Sequence, residues 1–202
     1  MHWPVANVDG VNTIDYLNTW HEMEKLVDRY KTRHIGVANF SPHEITVLFE
    51  KAKLRTPEVH QMELHPYLQQ QEFLDWHKAR YIHVTAYSPL AQTNPIYTPG
   101  EPEPLLNNTA IKAIADSRDC TPAQVAIMWG VARGTSVIPK SSHNERITEN
   151  FLSLECVLEE EDFENIEELG EAHYRFNNPT KSWDVPLYEG LEDSKGKHKQ
   201  NK

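Results

Sequence analysis

The chain has 202 residues, 39% of them apolar and five of them Trp, and a formal net charge of −10. That length fits one folded domain with a sizeable core of its own. The acidic balance disfavours nucleic acid and anionic membrane as main partners, since both repel a negative surface, but it leaves room for a local basic pocket. Cys120 and Cys156 belong to no CxxC pair, the start of the chain carries no signal-like apolar run, and no stretch is long enough to span a bilayer. The expectation is a cytoplasmic protein with two reduced, structural cysteines.

Asp9, Asp15 and Tyr16 fall in an expected loop and helix entry after His2. Thr19-Trp-His-Glu22 has the form of a capping box and predicts a helix with Trp20, Met23, Val27 and Tyr30 on its core face. A first strand is expected at His34–Phe40, and Ser41-Pro42-His43-Glu44 then repeats the box, with Ile45, Leu48 and Phe49 inward. Further β-branched or aromatic runs predict strands at Val59–Leu64, His83–Leu90 and Thr135–Ser141. Ala91–Asn108 is too rich in Pro for regular structure and suggests a long loop. Thr121-Pro122-Ala123-Gln124 is a third box, opening a helix with Val125, Met128, Trp129 and Ala132 buried. Glu159–Glu171 predicts an acidic helix with Phe163, Ile166 and Leu169 inward. Beyond Tyr174 the chain is expected to be irregular, with residues 186–202 as a tail and Ser194–Lys202 solvated.

The strand–helix alternation demands parallel strands joined by right-handed crossovers, the α/β class. Polar and aromatic residues gather where each strand ends, at Ala38-Asn39-Phe40, Gln61 to His65, Tyr87-Ser88 and Lys140-Ser141. In a parallel α/β barrel that rim is where active sites are built. Lys140 and Ser141 stand just ahead of a helix that presents Arg146, Glu149 and Asn150. Backbone N–H groups at such a start, with Lys and Arg beside them, suit a doubly anionic phosphate on a nucleotide. Alone, the run fits a solvated strand–loop–helix junction equally well. His60 with His65, or His43 with Glu44, match no standard zinc spacing, and no metal site is expected. Glu63 and His65 are expected to support the rim.

Five blocks together carry a family resemblance: Met1-His-Trp-Pro4, Ile35-Gly-Val-Ala-Asn-Phe-Ser41, Gln61-Met-Glu-Leu-His-Pro-Tyr67, Ala86-Tyr-Ser-Pro-Leu90, and Ile138-Pro-Lys-Ser141 through Asn150. In this order and spacing they resemble the aldo-keto reductases over residues 1 to about 185. Phe176-Asn-Asn-Pro-Thr-Lys-Ser-Trp183 is similar to the fungal glycerol dehydrogenase and aldehyde reductase branch. The resemblance implies a (β/α)8 TIM barrel that binds NADP(H) across its rim and passes hydride to the carbonyl of a small aldehyde or ketone, its small-molecule substrate being a carbonyl compound, an alcohol or a sugar-like polyol. His2 matches the catalytic His, Asn39 and Gln61 the carboxamide-binding pair, and Tyr87 the aromatic on which the nicotinamide stacks. Ser88 and Leu90 match the pyrophosphate side, Lys140, Ser141 and Arg146 the 2′-phosphate clamp, and Glu149 and Asn150 the adenine contacts. Ala38 stands where the family usually has Ser, and His143 where relatives often have Asn.

By the same resemblance, the family's catalytic Asp, Tyr and Lys and its first three strands lie ahead of Met1. The chain is then an incomplete barrel, about strands 4 to 8, with exposed edges open to self-association. A truncated reductase of low activity and a non-catalytic binder of NADPH or protein both remain open.

Overall fold

The computed structural model describes residues 1–91 and 102–191. They fall into two compact units, one of Met1–Gln61, His77–His83 and 178–191, the other of Met62–Trp76 and Val84–Asn177.

The first unit opens with an antiparallel hairpin, β1 (Val5–Val8) and β2 (Val11–Ile14), with Val8 opposite Val11. Its turn, Asp9-Gly10, has φ of 51° and 86°. Two successive left-handed residues are what a tight hairpin turn needs, and Asp-Gly supplies them. The loop expected here is therefore a hairpin, and the Asp-Gly pair was its signal.

Helix α1 (Leu17–Asp28) begins two residues ahead of the expected box, because Tyr16 O already accepts from Trp20 N at 2.8 Å. Thr19 lies inside the helix and caps nothing. Trp20, Glu24 and Val27 are its buried residues, whereas Tyr30 is 96% exposed: it lies beyond the helix end in the left-handed region, so the helical period no longer places it inward. Glu24 Oε1 accepts from the N–H groups of Lys53, Leu54 and Arg55 at 2.7 to 2.9 Å, which satisfies an otherwise costly buried carboxylate.

The main sheet has the order β3 (Gly36–Ala38), β4 (Val59–Glu63), β5 (His83–Tyr87) and β6 (Ser136–Val137). β3 runs parallel to β4 and β5 parallel to β6, as the alternation demands. A Cβ at Gly36 would lie 2.3 Å from Val59 O, so only glycine permits this approach of β3 to β4. All four strands are shorter than expected. Their last polar residues leave the ladder, with Asn39 at φ 62° and Ser88 at φ 49°.

Helices α2 (Pro42–Lys51) and α3 (Gln71–Lys78) follow β3 and β4; α4 (Thr109–Ser117) and α5 (Pro122–Ala132) follow β5; α6 (Asn144–Phe151) follows β6. The boxes at Ser41 and Thr121 both form, each with its reciprocal pair of hydrogen bonds. Ile45 and Leu48 are buried, while Phe49 is 37% exposed. In α5, Val125 and Trp129 are buried and Met128 is half-buried; Ala132, at the helix end, is exposed, and Ala123, Ala126 and Ile127 fill the interior instead. Of Ala91–Asn108, residues 92–101 lie outside the described residues. Leu105–Asn107 is a 3-10 turn, and Asn108 caps α4 by accepting from Ala110 N and Ile111 N.

The acidic helix is shorter than expected, α7 (Glu160–Glu167) followed by a 3-10 turn at Glu168–Ala172. Ile166 is buried and Asp162 binds Arg118 Nε at 2.7 Å. The short α8 (Thr180–Trp183) leads to Val185, Leu187 and Tyr188, which are buried in the first unit with Trp3, Val5, Ile14, Trp183 and Leu191 packed against them. Ser194–Lys202 lies outside the described residues. Contrary to the expectation of two reduced thiols, Cys120 and Cys156 form a disulfide, their Cα atoms 5.8 Å apart. That pairing depends on the loop before α5 meeting the segment after α6, which sequence spacing alone does not reveal. No described helix is long and apolar enough to cross a membrane.

Candidate active site

Three of the expected residues meet in the first unit. His2 is exposed, and its backbone carbonyl accepts from Asn39 Nδ2 at 3.1 Å. Asn39 in turn donates its backbone N–H to Gln61 O at 3.1 Å. Asn39 is 2% exposed and left-handed, a conformation that Asn tolerates better than most residues. It is the node that ties His2 on one side to Gln61 on the other.

Tyr16 belongs to the same unit and is the tyrosine to weigh as a proton donor. Its hydroxyl donates to Glu44 O at 3.4 Å, and its ring packs edge-on against Phe40 at 5.1 Å. Burial, with the Glu44 charge adding to it, pushes its pKa up to about 12. A general acid works best with a pKa near the operating pH, so this phenol is tuned away from that task.

Tyr87 ends β5 in the second unit, with Ser88 just past it and Leu90 half-buried two residues beyond Ser88. Ser88 O accepts from Ala91 N at 2.8 Å, closing a tight turn. The Tyr87 hydroxyl accepts from Asn177 Nδ2 at 3.1 Å. Asn177 is held by Glu63, a fully buried carboxylate that takes Phe176 N–H on one oxygen and Asn177 N–H on the other, both at 2.8 Å. His65 Nε2 bonds the same carboxylate at 2.9 Å. Burial alone raises the pKa of Glu63, but the His65 bond, the charges of His65 and Arg175 and the Phe176 N–H outweigh it, so the net shift is downward. Glu63 and His65 therefore anchor the segment that touches Tyr87. Asn177 lies in the Phe176–Trp183 run, but the run gave it no role, because its contact with Tyr87 is set by the fold.

The expected clamp also lies in the second unit. Lys140 and Arg146 are exposed, and neither has an ion-pair partner among the described residues. His143 is the N-cap of α6 and offers no side-chain cap to its first N–H groups. Ser141 Oγ accepts from His143 N at 3.1 Å, shaping the turn between them. Glu149 is engaged from α5, accepting from Thr121 Oγ1 at 2.5 Å, while Gln124 Nε2 donates to Glu149 O at 3.2 Å. Asn150 is half-buried at the edge of an apolar groove.

Parallel strands alternating with helices, with polar side chains at the strand ends, define an α/β protein. The chain belongs to the aldo/keto reductase family, whose model matches residues 1–171. It is 42% identical, over 211 aligned positions, to an uncharacterized oxidoreductase of Schizosaccharomyces pombe, covering 96% of this chain and 64% of that protein. With the NADPH-dependent D-xylose reductase of Meyerozyma guilliermondii it shares 37% identity over 185 positions, 89% of this chain and 56% of that one. The structure of aldose reductase from Giardia lamblia superposes with a TM-score of 0.81 at 31% identity, covering 94% of this chain and 66% of that one. This chain thus spans less than two thirds of the length of each of these relatives.

Proposed function

We propose that the chain is the NADP(H)-binding portion of an aldo-keto reductase acting on a small aldehyde or ketone. The observation that carries this is an α6 start that no side chain caps, with Lys140 ahead of it and Arg146 in its first turn, both exposed and without ionic partners among the described residues. A 2′-phosphate needs cationic partners and N–H donors of that kind. The xylose reductase among its relatives is named for NADPH, which agrees with this reading.

Bound NADPH supplies the hydride. Asn39 and Gln61 hold the carboxamide, Asn39 with its backbone fixed by the Gln61 carbonyl. Tyr87 offers its face to the nicotinamide ring, and Asn177 fixes the angle of that face through the hydroxyl. Ser88 and Leu90 border the pyrophosphate, and Glu149 and Asn150 border the adenine. His2 donates a hydrogen bond to the substrate carbonyl and orients it. In this reading residues 1–185 are about strands 4 to 8 of a (β/α)8 barrel, with the catalytic Asp, Tyr and Lys outside this chain. Leu187 and Tyr188 then begin the extension beyond the barrel.

Fluorescence titration tests the cofactor assignment. NADPH is expected to bind more tightly than NADH, and Arg146→Met to remove most of the difference; equal affinity for the two in the unaltered chain overturns it.

A second reading, a non-catalytic NADPH binder, is favoured by the chemistry of Tyr16, whose raised pKa suits it poorly as a replacement acid. General acid catalysis contributes about 10² to 10⁴-fold. The chain alone is therefore expected to reduce a generic aromatic aldehyde slower than a full-length relative by about that factor. Fast NADPH consumption that His2→Ala abolishes would show that some other group delivers the proton.

A further inference from the structure

His60 and His77 are both fully buried, and their Nδ1 and Nε2 atoms lie 2.7 Å apart. The rings are nearly parallel, with centroids 4.9 Å apart and planes 25° apart. His60 Nε2 also accepts the backbone N–H of Phe40 at 3.2 Å. An amide can only donate, so Nε2 of His60 carries no proton and the neutral ring holds it on Nδ1. Nδ1–H then donates to His77 Nε2, which leaves His77 protonated on its own Nδ1. One backbone amide sets the tautomers of both rings.

Why Phe40 needs this acceptor follows from the residue before it. In the β3–β4 register Ala38 stands opposite Gln61, and Asn39 N–H makes the next bond, to Gln61 O. Asn39 then turns left-handed and takes the chain out of the strand. Phe40 is 1% exposed, so its N–H has lost the ladder without gaining water. A buried donor left unmade is costly, and the His60 ring reaches across to satisfy it. The same bond clamps the far side of the Asn39 turn, the turn that fixes His2 O and Gln61 O.

We propose that His60 is a positioning residue for the carboxamide end of the cofactor site, with His77 holding His60 in the required tautomer. This rests on the cofactor reading above. His60 touches neither cofactor nor substrate; it acts through the Asn39–Phe40 turn. Loss of His77 frees His60 to move its proton to Nε2, which sets donor against donor at Phe40. A His60→Gln side chain keeps an acceptor oxygen and dispenses with His77.

Two measurements on the full chain test this: hydrogen exchange of the Phe40 amide without cofactor, and NADPH and NADH affinity by fluorescence. His60→Leu and His77→Phe are each expected to speed exchange at Phe40 and weaken both cofactors by about tenfold, the scale of one buried hydrogen bond. The NADPH-to-NADH ratio stays unchanged, because the phosphate clamp is untouched. His60→Gln restores slow exchange and affinity, and His77→Phe in that background has no further effect. Should His60→Leu lose its cooperative thermal transition, His77→Phe and His60→Gln decide between the outcomes. Unchanged exchange and affinity in His77→Phe, or no rescue by His60→Gln, overturns the proposal. An unaltered chain that binds neither cofactor fails the functional reading itself, a result seen before any variant is made. In that case faster exchange at Phe40 in His77→Phe supports the clamp alone, and unchanged exchange overturns that too.

Discussion

Asn177 donates its side-chain amide to the hydroxyl of Tyr87 at 3.1 Å, ninety residues away in the chain. The aromatic expected to face the nicotinamide is thus aimed by the C-terminal segment. Asn177→Ala is expected to weaken NADPH and NADH alike, by roughly two- to tenfold, the range of one partly exposed hydrogen bond. The thermal midpoint should stay unchanged, because the side-chain bond is at the surface. Unaltered affinity in a fluorescence titration would separate Tyr87 orientation from cofactor binding.

Glu63 is what holds that segment down. Glu63→Gln keeps one acceptor oxygen but turns an NH2 group toward one of two backbone donors, so it should cost about 1–3 kcal/mol of stability at pH 7. The pH dependence has a definite sign. The folded pKa of Glu63 is depressed, so its contribution is present above the unfolded carboxyl value of about 4.3 and is lost as pH falls through the folded value. Urea unfolding from pH 7 downward should show the unaltered chain losing more stability below about pH 4.3 than Glu63→Gln. Parallel pH curves for the two proteins would mean that Glu63 does not contribute as an anion.

What the sequence made legible was local. Ser41 and Thr121 form their boxes because the residues three positions on complete them, and parallel strands follow from the alternation. Thr19 caps nothing because the helix already starts at Leu17, where Tyr16 O accepts from Trp20 N. The strands end sooner than the hydrophobic pattern predicts because Asn39 and Ser88 turn left-handed at their ends, which no hydrophobic period reveals. The residues proposed for the cofactor each stand in a sequence motif. Their supports, Asn177 on Tyr87 and His60 on Phe40, join positions 90 and 20 residues apart. Such pairs are set by the fold, and a single sequence carries no trace of them.

The Cys120–Cys156 disulfide joins positions 36 residues apart, beside the Thr121–Glu149 contact in sequence. Constraining the unfolded chain over a loop of that length stabilises a fold by about 2–4 kcal/mol. Denaturant unfolding with and without a thiol reductant should differ by that amount, and Cys156→Ser should match the reduced protein. Identical midpoints under both conditions would show that the disulfide adds nothing to stability.

The last expectation concerns the apolar face around α6. Ile127, Val131, Val137, Pro139, Ile147, Phe151 and Leu154 line an open groove of about 380 Å³. Phe151 is 78% exposed and Leu154 68% exposed. Among the described residues β6 stands at the end of the sheet order, next to β5 alone, and a strand at a sheet edge is a template for pairing with another chain. Contiguous apolar surface of more than a few hundred Å2 is uncommon on soluble monomers and drives association. Read as an incomplete barrel, the chain would bury this face against the family's first strands; alone, it is expected to bury it against another copy of itself. Sedimentation velocity over a concentration series should show association, and Phe151→Glu with Leu154→Lys should shift the population to monomer while leaving Lys140 and Arg146 in place. A clean monomer at every concentration, with a cooperative thermal transition and no binding of an apolar dye, would mean that this face is stable in water as it stands.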